Sequence, residues 1–314
     1  MTATKRRTLC YGIALSLVGA LGCAGSNPMV EIRRTETFEK ALARQHALYG
    51  PPAQPENSIA SLADHLTTGD IHRAQGLHDK AHMAYVRAHF SDRESMAPLT
   101  RIAYLALRED PERARVLFEE LVAEAPDAAE LQVGLGYALA ASGKLEAARV
   151  RLQHALELNP ASQAALVALG VVSDRMGDPG TATQAYERAL AAGHESAGIL
   201  NNLGVSHLLA RRLEDAVRAF ERARASEPRD PVLSNNLGLA LGLLGRDVEA
   251  MKAFQRAGSE GDALNNLGLA HYLRGDLSGA RALFERALLS NETDEMRVLR
   301  NLERVEQALS PAGA

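Results

Sequence analysis

A glycine returns every 34 residues through the middle of this chain, at Gly136, Gly170, Gly204 and Gly238, and an alanine follows each at Ala148, Ala182, Ala216 and Ala250. A second alanine comes seven residues later, at Ala155, Ala189, Ala223 and Ala257. A fixed period of this length argues against a single central core: each unit is a pair of helices that buries its apolar side on its neighbours. Two helices of roughly a dozen residues, each rising about 1.5 Å per residue, fit one period with a short turn between them. Abundant alanine and the absence of tryptophan suit closely packed helices. Such an array offers an extended binding surface rather than a closed catalytic pocket.

The register extends to both sides of this regular stretch. From about Ser61, Gly69, Gly76, Ala81, Tyr85 and Ala88 hold the expected places of a first repeat. In the second, Ala114, Phe118 and Leu121 fit, but Ile102 stands where glycine belongs. One large apolar position recurs as Leu152, Tyr186, Phe220, Phe254 and Phe284. Glycine costs a helix about 1 kcal/mol relative to alanine, so its regular use needs a packing reason. The reading is that Gly and Ala let the two backbones of a pair approach, while the large side chain wedges toward the next repeat. Gly143 and Gly177 mark turns. The interval then shortens: Gly268 follows Gly238 by 30 residues, with the deletion at 257–262 and Gly258 as the expected helix stop. Glu295 to Leu309 reads as a charged amphipathic capping helix, and 310–314 as a tail.

The first 22 residues read as a targeting segment. Lys5, Arg6 and Arg7 precede an uncharged apolar run from Leu9 to Leu21, which is short for a permanent membrane helix. Gly19-Ala20-Leu21-Gly22-Cys23 resembles a relaxed bacterial lipobox, departing from it at Ala20, where leucine is favoured. On this reading 1–22 is a lipoprotein signal peptide and Cys23 the lipid attachment site; a plain secretory signal and an uncleaved anchor are the alternatives. Cys10 is the only other cysteine and would be removed, so no disulfide is expected in the mature chain. Losing three bases and no acids takes the net charge from −4 to −7. Apart from Lys5-Arg6-Arg7 there is no basic block, which argues against nucleic acid as a partner. Residues 23–60 read as a lipidated tether with a short helix, Glu31 to Tyr49, and a stiff spacer with prolines at Pro51, Pro52 and Pro55.

The pairs Leu135-Gly136, Leu169-Gly170, Leu203-Gly204, Leu237-Gly238 and Leu267-Gly268, with Ala148, Leu152, Ala155 and Pro160 in the third repeat, resemble the tetratricopeptide (TPR) repeat family. The family's first-helix tryptophan is missing, with Leu166, Leu200 and Leu264 in its place. The resemblance covers 61–294. It implies an all-α fold, a right-handed superhelical TPR solenoid of about seven helix-turn-helix repeats with a C-terminal capping helix over 295–314. The lipobox, the array and the run Phe254-Gln255-Arg256-Ala257-Gly258 leading into Asn265-Asn266-Leu267-Gly268 are similar to TadD-type lipoproteins of tight-adherence (Flp) pilus assembly. Related arrays occur in pilotins and in lipoproteins that scaffold peptidoglycan-remodelling enzymes.

In this family a groove is lined by first-helix residues of successive repeats. The positions three before and one after each glycine give Val133 and Tyr137, Val167 and Val171, Asn201 and Val205, Asn235 and Leu239, and Asn265 and Leu269, with Leu208, Leu243 and Tyr272 extending them. The predicted partner site is therefore Tyr137, Asn201, Val205, Asn235, Leu239, Asn265, Leu269 and Tyr272. Its asparagines offer donors and acceptors to an extended peptide, and its apolar residues accept side chains. Asn202, Asn236 and Asn266 are read as structural. The groove places carry no base of the kind that grips a C-terminal carboxylate. His78 and His82, four apart, lack the companions of a metal site, and no phosphate loop or nucleophile motif occurs. The expectation is an outer-membrane lipoprotein with its array in the periplasm, binding protein or peptide segments, with no cofactor, metal, small-molecule substrate or catalytic residue. Pilus or secretion-system assembly is the leading role. An adaptor for peptidoglycan-remodelling enzymes is the alternative, and a periplasmic enzyme the distant one.

Overall fold

The computed structural model describes residues 61–290 and 293–310. Cys23, the signal peptide, the tether with its short helix and spacer, and the tail beyond 310 lie outside them. The described residues form fifteen α-helices and no strand: α1 Leu62–Ala74, α2 His78–Ser91, α3 Ala97–Ala106, α4 Pro111–Glu124, α5 Ala129–Ala141, α6 Leu145–Leu158, α7 Gln163–Met176, α8 Pro179–Ala191, α9 Ala197–Leu209, α10 Leu213–Ser226, α11 Pro231–Leu243, α12 Asp247–Ala257, α13 Glu260–Arg274, α14 Leu277–Leu289 and α15 Glu295–Leu309. This is an all-α array of seven helix pairs plus α15. It divides within α7 into two compact units, one ending at Ala168 and one beginning at Leu169.

The recurrent glycine is a socket for a ring, which revises the reading of a backbone contact. A Cβ added at Gly204 would lie 2.5 Å from the Phe220 ring, and one at Gly238 or Gly268 2.7 Å from Phe254 or Phe284. Tyr85 and Tyr186 occupy Gly69 and Gly170 in the same way, and Leu152 occupies Gly136. The wedge therefore locks the two helices of its own pair, not the next repeat. The second repeat is the exception. Ile102, 1% exposed, fills the place of the glycine, and Phe118 turns its ring onto Gly134 in α5 of the following pair. There Tyr104 packs edge-on against it, ring centroids 5.0 Å apart.

The turns inside the pairs place Gly76, Gly143, Gly177, Gly245 and Gly275 at φ between 74° and 94°. Arg211, at φ 61°, takes the equivalent place between α9 and α10, a conformation that disfavours a side chain. Gly258 ends α12 as expected, but in extended backbone (φ −166°) rather than a left-handed cap.

The shortened interval brings first helices together. A Cβ on Gly242 in α11 would stand 2.6 Å from the Ala270 methyl in α13. Arg274 of α13 donates to the Gly242 carbonyl (2.8 Å) and to Asp247 (2.7 Å) at the start of α12. That guanidinium holds the Asp247 carboxyl below the usual carboxylate range. His271 lies between Asp276 (2.8 Å) and Asp247 (3.0 Å) and is nearly buried. At the far end Val298 and Val305 of α15 are fully buried on the core formed with Leu283, Phe284 and Ala287.

Gly204→Ala should lower the stability of its unit by about 1–3 kcal/mol through overpacking, despite alanine's better helix propensity. Gly134→Ala should behave alike, although it lies off the 34-residue register. Thermal melts of the two variants check this; an unchanged or raised Tm for either would refute the socket.

Candidate partner-binding face

Seven of the eight predicted site residues stand on first helices of the second unit. Asn201 and Val205 are on α9, Asn235 and Leu239 on α11, and Asn265, Leu269 and Tyr272 on α13. Within each helix these places lie three or four residues apart, on one face. Val205, Leu239, Leu269 and Tyr272, with Leu208, are half-buried and pack on the core of Phe220, Phe254 and Phe284. Their inner surfaces are fixed and their outer surfaces are accessible. Tyr137 belongs to the first unit. It is half-buried on α5, its hydroxyl donates to the Ala164 carbonyl (3.3 Å), and burial pushes its phenol pKa up.

The asparagines form a seam between repeats. The Asn236 amide donates to the Asn201 carbonyl (2.7 Å), and Asn266 donates to Asn235 (3.2 Å). Asn236 and Asn266 are thus structural in the sense expected. Asn201 and Asn235 are half-buried, and each accepts one hydrogen bond through its oxygen while its NH2 donors are unspent. Asn265 differs from an open rung: it is 2% exposed, it donates to Asn266 (3.3 Å), and its oxygen accepts from Asn301 of α15 (2.9 Å). The short step does not interrupt the seam, and Asn265 lies inside it, against α15.

Sequence reasoning passed over Asp174. It stands four residues after Gly170, in the register of Leu208 and Tyr272, so an acid at an apolar groove position was the available signal. It is 8% exposed and accepts from the buried Ser206 hydroxyl of α9 (2.6 Å). Burial pushes its carboxyl up to about 7, opposed by the Ser206 hydrogen bond, reinforced by Asp178 and opposed by Tyr186. His82 lies far from this arrangement in sequence. Its imidazole is drawn down to about 4 by burial and then by Arg113. Among the described residues no group of three or more potential ligand side chains could hold a metal ion.

The Asp174 shift makes stability depend on pH in a defined direction. Its folded pKa lies above the unfolded carboxylate value of about 4, so the folded chain holds the proton more tightly. The cost of the buried charge is absent below the unfolded value, grows above it, and is complete above about 7. Asp174→Asn keeps an acceptor for Ser206 without the charge. Its stability advantage over the parent should grow between about pH 4 and about pH 7, reaching on the order of 3 kcal/mol, and appear as a widening Tm margin. Melts across that range check the expectation, and a margin independent of pH would refute it.

Comparison with known proteins agrees with the helix-pair fold. A tetratricopeptide repeat protein from Parabacteroides merdae ATCC 43184 is similar with a TM-score of 0.53 and 15% identity, over 78% of this chain and 98% of that one. The thermophilic TPR protein TTC0263 of Thermus thermophilus gives 0.52 and 24%, over 58% and 99%. The APC/C hetero-tetramer Cut9-Hcn1 gives 0.53 and 17%, over 86% and 54%. At these identities the likeness is one of fold. No curated protein gives a significant match. Family models described as tetratricopeptide repeat match residues 105–170, 167–231, 201–262 and 261–293. Those matches together span more than half of the sequence, and the chain belongs to the tetratricopeptide repeat family.

Proposed function

We propose that this chain is an envelope lipoprotein whose second unit captures a segment of a partner protein along its first-helix face during assembly of a pilus or secretion system. A TPR array is a protein-interaction scaffold, and the coarse part of the reading rests on that. The observation that carries the finer part is the combination on α9, α11 and α13. Half-buried Val205, Leu239, Leu269 and Tyr272 stand beside Asn201 and Asn235, whose carbonyls each accept one hydrogen bond and whose NH2 donors are unspent. Such a face suits an extended segment: its backbone carbonyls meet amide donors and its apolar side chains meet the aliphatic wall. The lipobox-like run ending at Cys23 supports anchorage, and Ala24 rather than aspartate after it supports the outer membrane. Among the described residues no helix is long and apolar enough to cross a membrane. The TadD-like arrangement of the array supports the pilus role.

The groove is tested without disturbing the seam by the double substitution N201D/N235D. Each aspartate keeps an oxygen for Asn236 or Asn266 and removes the donors. With a photo-reactive residue at position 239, the parent should crosslink in cells to a discrete protein. The double variant should lose that adduct about tenfold, as expected for one to two lost hydrogen bonds, with unchanged circular dichroism. An adduct of equal yield would sink the groove assignment.

The anchor is tested separately. Cys23→Ser should move the protein from the membrane fraction to the soluble fraction. Retention of that variant in membranes would overturn lipid attachment at Cys23.

A further inference from the structure

The last helix has the register of a first helix without its second. Asn301 of α15 donates to Asn265 as Asn236 donates to Asn201 and Asn266 to Asn235. Aligned on that seam, Val298 takes the place of Ile199, Leu233 and Ala263, and Val305 that of Ser206, Ala240 and Ala270. All eight are buried, which confirms the alignment. Leu299 then corresponds to Leu200, Ser234 and Leu264, and Glu303 to the socket glycines Gly204, Gly238 and Gly268.

On this side the equivalence ends. Leu200 and Leu264 are 0% and 3% exposed because the second helix of their pair covers them, whereas Leu299 is 40% and Met296 61% exposed. The uncovered side thus presents Met296 and Leu299 followed by Glu303 and Glu306, the latter in the register of His207, Leu241 and His271. It is apolar in its first half and acidic in its second.

We propose that this side of α15 docks a basic amphipathic helix of a partner protein in the place that a second helix holds in every complete pair. The helical form follows from the register, because each equivalent side in α9, α11 and α13 receives a helix. The charge follows from Glu303. At the place where Gly204 leaves room for Phe220, α15 carries the exposed Glu303, which accepts from Gln307 (3.2 Å). Its side chain replaces the empty socket an aromatic ring needs, and its charge matches a lysine or arginine. Apolar residues of the partner cover Met296 and Leu299. A second copy of this chain is a poorer occupant. Pairing the same side across a two-fold axis either opposes the acids to one another or buries them against Leu299 and Met296.

The test uses the full chain and a labelled, hydrocarbon-stapled peptide of residues 276–290, the sequence of a natural second helix, carrying F284K at the wedge position. Fluorescence anisotropy should show saturable binding, with the F284E peptide weaker by about tenfold or more, the effect of one charge pair replaced by a repulsion. The chain variant E303K, exposed and expected to fold as the parent by circular dichroism, should reverse that preference. Absence of binding, or equal binding of both peptides, would overturn the proposal. So would a preference that E303K leaves unchanged. Sedimentation showing a dimer abolished by L299S would also overturn it, assigning the side to a second copy.

Discussion

The insertion of one large side chain into one glycine holds six of the seven helix pairs together, and the rest of the array depends on it. Glycine weakens the first helix by about 1 kcal/mol, while burying an aromatic side chain contributes roughly 1.5–3 kcal/mol. The exchange favours the pair wherever ring and socket meet. The second repeat shows that the requirement is for a socket rather than for a sequence position. Ile102 closes the usual site, and Phe118 finds Gly134 in the following pair instead. A defect in the motif thereby becomes a contact between repeats.

Once the pairs are fixed, apolar burial alone would tolerate small slips between them, because alanine and leucine surfaces are nearly non-directional. The amides remove that freedom. Asn236 to Asn201, Asn266 to Asn235 and Asn301 to Asn265 place one directional bond at each step, and Ser206 to Asp174 adds another between α7 and α9. The short interval shows what the seam can accommodate. Removing one turn's length brings α13 onto α11 at Gly242 and Ala270, and a charged knot of Asp247, His271, Arg274 and Asp276 fills the space at the turn. The bond to Asn235 survives.

The period made the helix pairs, their turns and the large apolar site legible, because a repeated spacing reports which residues share a face. It did not report which neighbour each face meets. The destination of the wedge was therefore misplaced by one helix, and Gly134 carried no signal because it lies two residues off the register. The exposed side of α9, α11 and α13 was legible for Val205, Leu239, Leu269 and Tyr272, whose places follow from helical geometry. Asn265 was not, since its burial depends on Asn301, thirty-six residues away and in a helix whose charged sequence suggests only a cap. Asp174 was legible in principle as an acid in a leucine register, but its burial depends on α8 and α9 packing around it.

The seam also constrains what the face can recognise. An asparagine in isolation is indifferent to polarity, since it can donate or accept. Asn201 and Asn235 are biased: one acceptor site of each oxygen is held by Asn236 or Asn266, while both N–H donors of each amide are unspent. A row of donors with the same polarity matches the carbonyls of an extended backbone and rejects a surface that also presents donors. The aliphatic wall sets where side chains go, but the hydrogen bonds that hold the repeats in register set the sign of the polar contact. In the proposed function, stability and recognition on this face are thus consequences of the same amides.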